Sequence, residues 1–221
     1  MTFQHVHIPK FEEMSTKTID GRRWYKTPEG NYYPSITSVL GAKEKPHLDQ
    51  WRKMLGNENA DKETARCADR GTAIHLMAEK YLNNEEGFTT DQPIEYIKLF
   101  NQLKLALKRI NNIRIQEIPL YSDTLMVAGR VDCIAEFDGV LSVIDFKTSN
   151  NNKTDSMIED YFLQETFYAL AYYELYKEHV KQIVTLITVE KGIVPLVFKK
   201  DTTPFINTLA DRIEEFYQKH V

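Results

Sequence analysis

The apolar and polar positions of this chain change period several times, and each change predicts an element. Ile113, Ile115, Glu117 and Pro119 fall at period two, on one face of a strand that includes an acid. Two denser apolar runs follow, Val127 to Phe137 and Val140 to Phe146, on either side of Asp138-Gly139. Asp-Gly between strand-like runs predicts a hairpin, because Gly accepts φ > 0 at no steric cost. Helical patterns cover 48–55, 62–83, about 93–110, 157–179 and about 203–219; the stripe Ile94, Ile97, Leu103, Leu107, Ile110 marks the third. Strands at 182–190 and 193–199 pair around Lys191-Gly192, and Arg23-Trp24-Tyr25 and Asn31-Tyr32-Tyr33 form a short hairpin. Pro34 and the hydroxyls of Ser35, Thr37 and Ser38 predict a helix start that is also a natural phosphate site. Gly71 interrupts the 62–83 helix, where it costs about 1 kcal/mol relative to Ala, and predicts close approach by another backbone. The alternation of strands and helices predicts one α/β domain, a central mixed β-sheet flanked by helices.

Composition narrows the function classes. A net charge of −4 over 221 residues excludes a globally basic coat for nucleic acid but permits a local basic groove beside acids. Two cysteines, Cys67 and Cys133, are too few for a four-cysteine Fe–S cluster or zinc site, so no Fe–S cluster is expected, and a reducing compartment fits. No apolar run approaches the roughly 20 residues of a membrane span. The first fourteen residues lack the marks of a signal or transit peptide. These features predict a soluble, intracellular, cytoplasmic protein with no membrane partner.

The chemistry concentrates in Gly129 to Ser149. Asp132, Asp145 and Lys147 interrupt runs that otherwise read as buried strand, and Val143, Asp145 and Lys147 share one face. A buried unpaired carboxylate is costly, so these charges need an ion, a substrate or one another. Asp132 followed across the Asp-Gly turn by Asp145-Phe146-Lys147 is the pattern that metal-dependent phosphodiester cleavage requires. Two carboxylates bind Mg²⁺ or Mn²⁺ through hard oxygens, with the Phe146 carbonyl as a further ligand. The lysine orients water or neutralises charge developing on phosphate. A structural salt bridge is the plainer alternative.

Elsewhere the patterns leave alternatives open. Arg66 and Arg70 lie one turn apart on one helix face. Lys98, Lys104, Lys108 and Arg109 are either a solvated face or a phosphate-facing wall. Trp51, Tyr161, Tyr168 and Tyr172 either pack or stack on unpaired bases.

Four ordered segments resemble the PD-(D/E)XK nuclease superfamily, and within it the RecB-like exonucleases, among them the mitochondrial genome maintenance exonucleases and their bacteriophage relatives. They are Tyr33-Pro34-Ser35-Ile36-Thr37-Ser38-Val39-Leu40; Arg70-Gly71-Thr72-Ala73-Ile74-His75; Gly129-Arg130-Val131-Asp132 with Ile144-Asp145-Phe146-Lys147-Thr148-Ser149; and Gln164 with Tyr168. Val131 stands where the name-giving proline would be, as is common in the RecB-like branch. The resemblance implies a restriction-endonuclease-like core (111–200) with an N-terminal extension (1–32), a helical region over the active site (33–110) and a C-terminal helix (201–221). It implies a metal-dependent DNA exonuclease acting on single-stranded or free-ended DNA in replication, recombination or repair, working as a monomer. It further implies Asp132, Asp145 and His75 as metal ligands, Lys147 as the catalytic lysine, Gln164 and Tyr168 as positioning groups, and Glu117 as an accessory acid. Ser35, Thr37, Arg66, Arg70 and Thr148 are the expected DNA contacts. A structure- or site-specific endonuclease and a non-catalytic DNA-binding accessory protein are the alternatives.

Overall fold

The structure is a computed structural model that describes residues 2–9 and 13–220. Met1 and residues 10–12, within the expected N-terminal extension (1–32), and Val221, within the expected C-terminal helix (201–221), lie outside the described residues. The chain opens with a small antiparallel sheet, ordered β1 (Thr16–Ile19), β2 (Arg22–Lys26), β3 (Tyr32–Pro34). The strand β1 was not anticipated. Its four residues are all exposed, so no burial alternation marks it. Helix α1 (Ile36–Gly41) starts at Ser35, whose side chain caps the Ser38 N–H.

Helices α2 (Pro46–Leu55), α3 (Asn57–Leu82) and α4 (Ile94–Leu107) form the helical region. The main sheet then follows in the order β4 (Ile110–Ser122), β5 (Val127–Phe137), β6 (Val140–Ser149), β7 (Gln182–Val189), β8 (Leu196–Asp201). Only the β6–β7 pair is parallel, and its crossover carries α5 (Glu159–Tyr176). A parallel pair requires such a connection. Helix α6 (Ile206–His220) ends the chain. This is the expected mixed sheet flanked by helices. Between β5 and β6, Asp138 and Gly139 take φ of +52° and +78°, left-handed at both positions, as a type I′ turn demands.

The two faces of the sheet bury separate cores. One, against α1, α5 and α6, gathers Val131, Val143, Ile183, Phe167, Tyr168, Tyr172 and Phe216. The other, against α3 and α4, gathers Ile74, Met77, Phe100, Leu103, Ile144, Phe146 and Leu186. Alternation along β6 therefore sends Ile144 and Phe146 under the α3–α4 layer, and Val143, Asp145 and Lys147 to the α5 side. No helix of the described residues is long and apolar enough to cross a membrane.

Several expectations are corrected. A Cβ placed on Gly71 meets nothing within 4 Å, so no backbone packs there and the glycine faces open space. Two of the four cations in and after α4 are engaged within the fold: the Lys104 ammonium lies over the rings of Tyr81 and Phe88, and Arg109 forks onto Asp138 while covering Phe137. Tyr168 and Tyr172 are core residues, which removes them as stacking surfaces.

Candidate active site

The pairing of β5 with β6 runs from Phe137↔Val140 to Cys133↔Ile144. One residue further on, the Asp132 carboxylate takes the place of the ladder and accepts the Phe146 N–H at 2.8 Å. In an extended strand the N–H and C=O of one residue point to the same side. The Phe146 carbonyl therefore faces the same gap as Asp132. Asp145 is 2% exposed, and the Lys147 ammonium pairs with its Oδ2.

Across the gap stand His75 from α3 and Glu117 from β4. The His75 Nδ1 lies 3.5 Å from Asp132 Oδ2 and 3.9 Å from Glu117 Oε1. Ligand atoms of His75, Glu117 and Asp132 all lie within 4.8 Å of one another. Glu117 reaches this position through its backbone. Its φ is +50°, left-handed for a residue with a side chain, in the middle of a strand whose register shifts between Asn111 and Ile115. Such strain persists only where its surroundings enforce it. Here the Arg130 guanidinium donates to the Glu117 carbonyl, and its other arm pairs with Glu13.

Helix α5 closes the site. The Gln164 amide is 3.5 Å from Asp145 Oδ1 and 3.4 Å from the Tyr168 hydroxyl. Gly129 makes room for this arrangement, since a Cβ there would stand 2.9 Å from Tyr168 Oη and 3.0 Å from Ile36 Cγ2. The motif glycine is thus explained by close approach. The next residue of α5, Glu165, escaped the sequence reasoning. It is fully buried, and Thr185, paired with Asp145 across β6 and β7, donates to it at 2.5 Å. Burial, reinforced by the charge of Asp145, raises its carboxyl well above the usual range.

The charges of the site are mutually dependent. Burial pushes the Asp145 carboxyl up to about 6; Lys147 opposes the rise and Asp132 adds to it. Burial works against a charge on His75, yet Asp132 and Glu117 outweigh it and lift the imidazole to about 9. Burial likewise opposes the Lys147 charge, but Asp145 and Asp132 hold its ammonium above the ordinary lysine range. These acids crowd around a space that a cation suits. Carboxylate oxygens and one imidazole form a hard donor set for a divalent ion.

His75, Glu117, Asp132, Lys147, Gln164 and Tyr168 line one cavity of about 410 Å³ with Arg23, Tyr25, Ser35, Thr37 and Tyr161. Tyr161 also lines a larger cavity of about 1130 Å³, walled by Trp51, Arg52, Lys62, Arg66, Arg70, Thr148 and Lys153 among others. The expected DNA contacts divide. Arg70 is 2% exposed and spends its guanidinium on Glu190, Asn150 and Thr148. Arg66 pairs with Glu63 and Glu190. Ser35 is saturated as well: it accepts from the Ser38 N–H and donates to Ser38 Oγ, which leaves the Thr37 hydroxyl proton directed at Ser35. Arg70, Thr148 and Ser35 thus carry internal hydrogen bonds in this structure. Lys153 and Trp51 also line the larger cavity, with Tyr161, over whose ring the Lys147 ammonium stands at 5.1 Å.

Paired acids and a lysine on the inner hairpin of a mixed sheet define the PD-(D/E)XK class. Residues 93–218 match the PD-(D/E)XK nuclease superfamily, and the chain belongs to it. That span contains Glu117, Asp132, Asp145, Lys147, Gln164 and Tyr168, while His75 lies before it. Among individual proteins, the chain is similar to mitochondrial genome maintenance exonuclease 1. The Homo sapiens protein is 29% identical over 146 residues, which cover 62% of this chain and 40% of that protein. The Mus musculus protein is 27% identical over 131 residues, covering 56% and 39%. The Xenopus tropicalis protein is 26% identical over 128 residues, covering 54% and 37%. The chain spans about two fifths of the length of these relatives.

Proposed function

We propose that this chain is a metal-dependent deoxyribonuclease, an exonuclease that hydrolyses single-stranded or free-ended DNA. The observation that carries the reading is the convergence of His75, Glu117 and Asp132 in one cavity with Lys147, which pairs with the buried Asp145. The relatives named exonuclease support the choice of reaction.

His75, Asp132, Asp145 and the Phe146 carbonyl hold Mg²⁺ or Mn²⁺, with Glu117 as an accessory acid. The bound ion supplies Lewis-acid polarisation of the scissile phosphate. The protein supplies the rest. Lys147, whose ammonium Asp145 and Asp132 favour, places a positive charge beside the phosphate and the attacking water. Gln164 and Tyr168 fix the Asp145 carboxylate, and with it the ammonium of Lys147. Tyr161 and Trp51 offer ring faces along the approach from the larger cavity, where base stacking contributes about 1–3 kcal/mol per base.

The test is end-labelled linear against closed circular single-stranded DNA, with Mg²⁺ or Mn²⁺. The expected result is label release from linear strands, sparing of circles, and no release by Asp145→Ala. Cleavage of circles at the linear rate refutes the exonuclease reading in favour of an endonuclease. Label release by Asp145→Ala at the wild-type rate refutes the site.

A further inference from the structure

One side chain of the active-site cavity is left unused by this chemistry. Arg23 lies on β2, and residues 23 and 25 share a strand face, so Arg23 and Tyr25 both line the cavity. The preceding Arg22 stands over the Phe216 ring at 5.8 Å. Among the described residues, the Arg23 guanidinium has neither an ion-pair nor a hydrogen-bond partner. The other basic groups of the cavity are engaged: Arg130 with Glu117 and Glu13, Lys147 with Asp145, and His75 with Asp132.

The backbone of Arg23 is pinned at both of its polar groups. Its N–H donates to Ser38 Oγ at 3.1 Å, and its carbonyl accepts the Ser35 N–H at 2.8 Å. Ser35 in turn bridges Ala128 on β5, next to Gly129. The small sheet is thereby fixed to the strand that carries Asp132, and Arg23 is held at a set place relative to the reacting centre. Ser35 and Thr37, beside it, are committed to each other and cannot supply anion binding. A guanidinium offers five N–H donors in a planar fork that matches two phosphate oxygens.

We propose that Arg23 forms a second phosphate subsite, which grips a backbone phosphate of the DNA strand adjacent to the one that is cut. The inference rests on the nuclease reading above and adds to it the residue that sets the strand's register over the acids. The neighbouring acids repel the strand, and a cation anchored to the same strand β5 offsets that repulsion at one defined phosphate.

The experiment measures binding of the full chain to fluorescein-labelled single-stranded oligothymidylate in EDTA, by anisotropy, across a salt series. Each phosphate contact on a single strand contributes about 0.7 to the slope of log K against log salt. Arg23→Gln is expected to lower that slope by about 0.7 and to weaken binding several-fold at low salt. Arg23→Lys is expected to keep the slope, since the charge remains. A set of strands with one methylphosphonate each gives a second readout. Wild type loses affinity when the gripped phosphate is neutral, and Arg23→Gln is indifferent to that replacement. A wild-type slope in Arg23→Gln, whatever its affinity, overturns the subsite and leaves the nuclease reading standing. Failure of the wild type to bind the strand at any salt likewise overturns the subsite, while the nuclease reading stands or falls on the label-release assay with metal.

Discussion

At the scale of single residues, the site is a balance of protons. The metal-free His75 is held protonated up to about 9 by Asp132 and Glu117, with burial opposing. Its ordinary value is near 6.5. The ion pair therefore stabilises the metal-free fold fully below pH ~6.5 and is lost as pH rises from there through about 9. A divalent ion needs the same nitrogen free, so binding displaces the proton. Below pH ~9, apparent metal affinity should rise about tenfold per pH unit where one proton is released. Titration of Mn²⁺ at pH 6, 7 and 8 checks this, and His75→Gln should flatten the dependence. An equally steep rise in His75→Gln would remove histidine from the ligand set. Glu165 runs in the opposite sense. Its folded carboxyl keeps a proton that the unfolded chain releases near pH ~4.3, so its contribution to stability declines as pH rises above that value. Glu165→Gln should remove the decline and gain stability over wild type at pH 8 but not at pH 4. Urea unfolding at both pH values measures the difference, and a variant less stable at pH 8 would mean that the ionised form is the native one.

At the scale of elements, two glycines in neighbouring motifs have opposite reasons to be glycine. At Gly129 an added methyl meets the Tyr168 hydroxyl and Ile36, both buried, and neither can move cheaply. Overpacking of this kind costs about 1–3 kcal/mol, and here it pushes α5 away from β5. Gly129→Ala should lose that stability and should also lower kcat, since Tyr168 and Gln164 shift together. At Gly71 the methyl meets open space in ordinary helical geometry. Gly71→Ala should therefore stabilise α3 by about 1 kcal/mol. Thermal melts of both variants decide the matter, and stabilisation by Gly129→Ala would contradict the close approach at β5. These glycines also show what the sequence discloses. A glycine that interrupts a pattern is visible at once, but whether a neighbour fills its space depends on packing from distant elements. The Asp138-Gly139 hairpin was legible because its turn is local. The left-handed backbone at Glu117 was not, because the Arg130 side chain that holds its carbonyl comes from the adjoining strand.

At the scale of the whole molecule, the acids and lysine of β5 and β6 were legible as charges misplaced in buried strands. Their assembly with His75 and α5 came through the resemblance, since contacts 19 or more residues apart leave no periodic trace. Arg23 and Glu165 were missed for the same reason. The acid partner of Arg66 and Arg70 was not legible either, because it lies far away in sequence, at Glu190. That pairing has its own consequence. Glu190 follows β7 and ties down Arg70 and Arg66 of α3, while Arg70 also holds Thr148 and Asn150 beyond Lys147. The network thus joins the helix that carries His75 to the strand end that carries Asp145 and Lys147. Loss of the partner of a buried charge is expensive, about 3–5 kcal/mol. Because Glu190 is 28% exposed and Asn150 and Thr148 remain bound to Arg70, Glu190→Ala should cost nearer ~3 kcal/mol. Glu190→Gln keeps acceptors for the guanidinium and should cost less than half as much. With α3 loosened from the sheet, His75 moves relative to Asp132, so Mn²⁺ affinity should fall in Glu190→Ala although Glu190 touches none of the proposed ligands. Urea unfolding and Mn²⁺ titration of the two variants separate these effects. Unchanged stability with weakened strand binding would instead make Glu190 and its arginines part of the DNA surface.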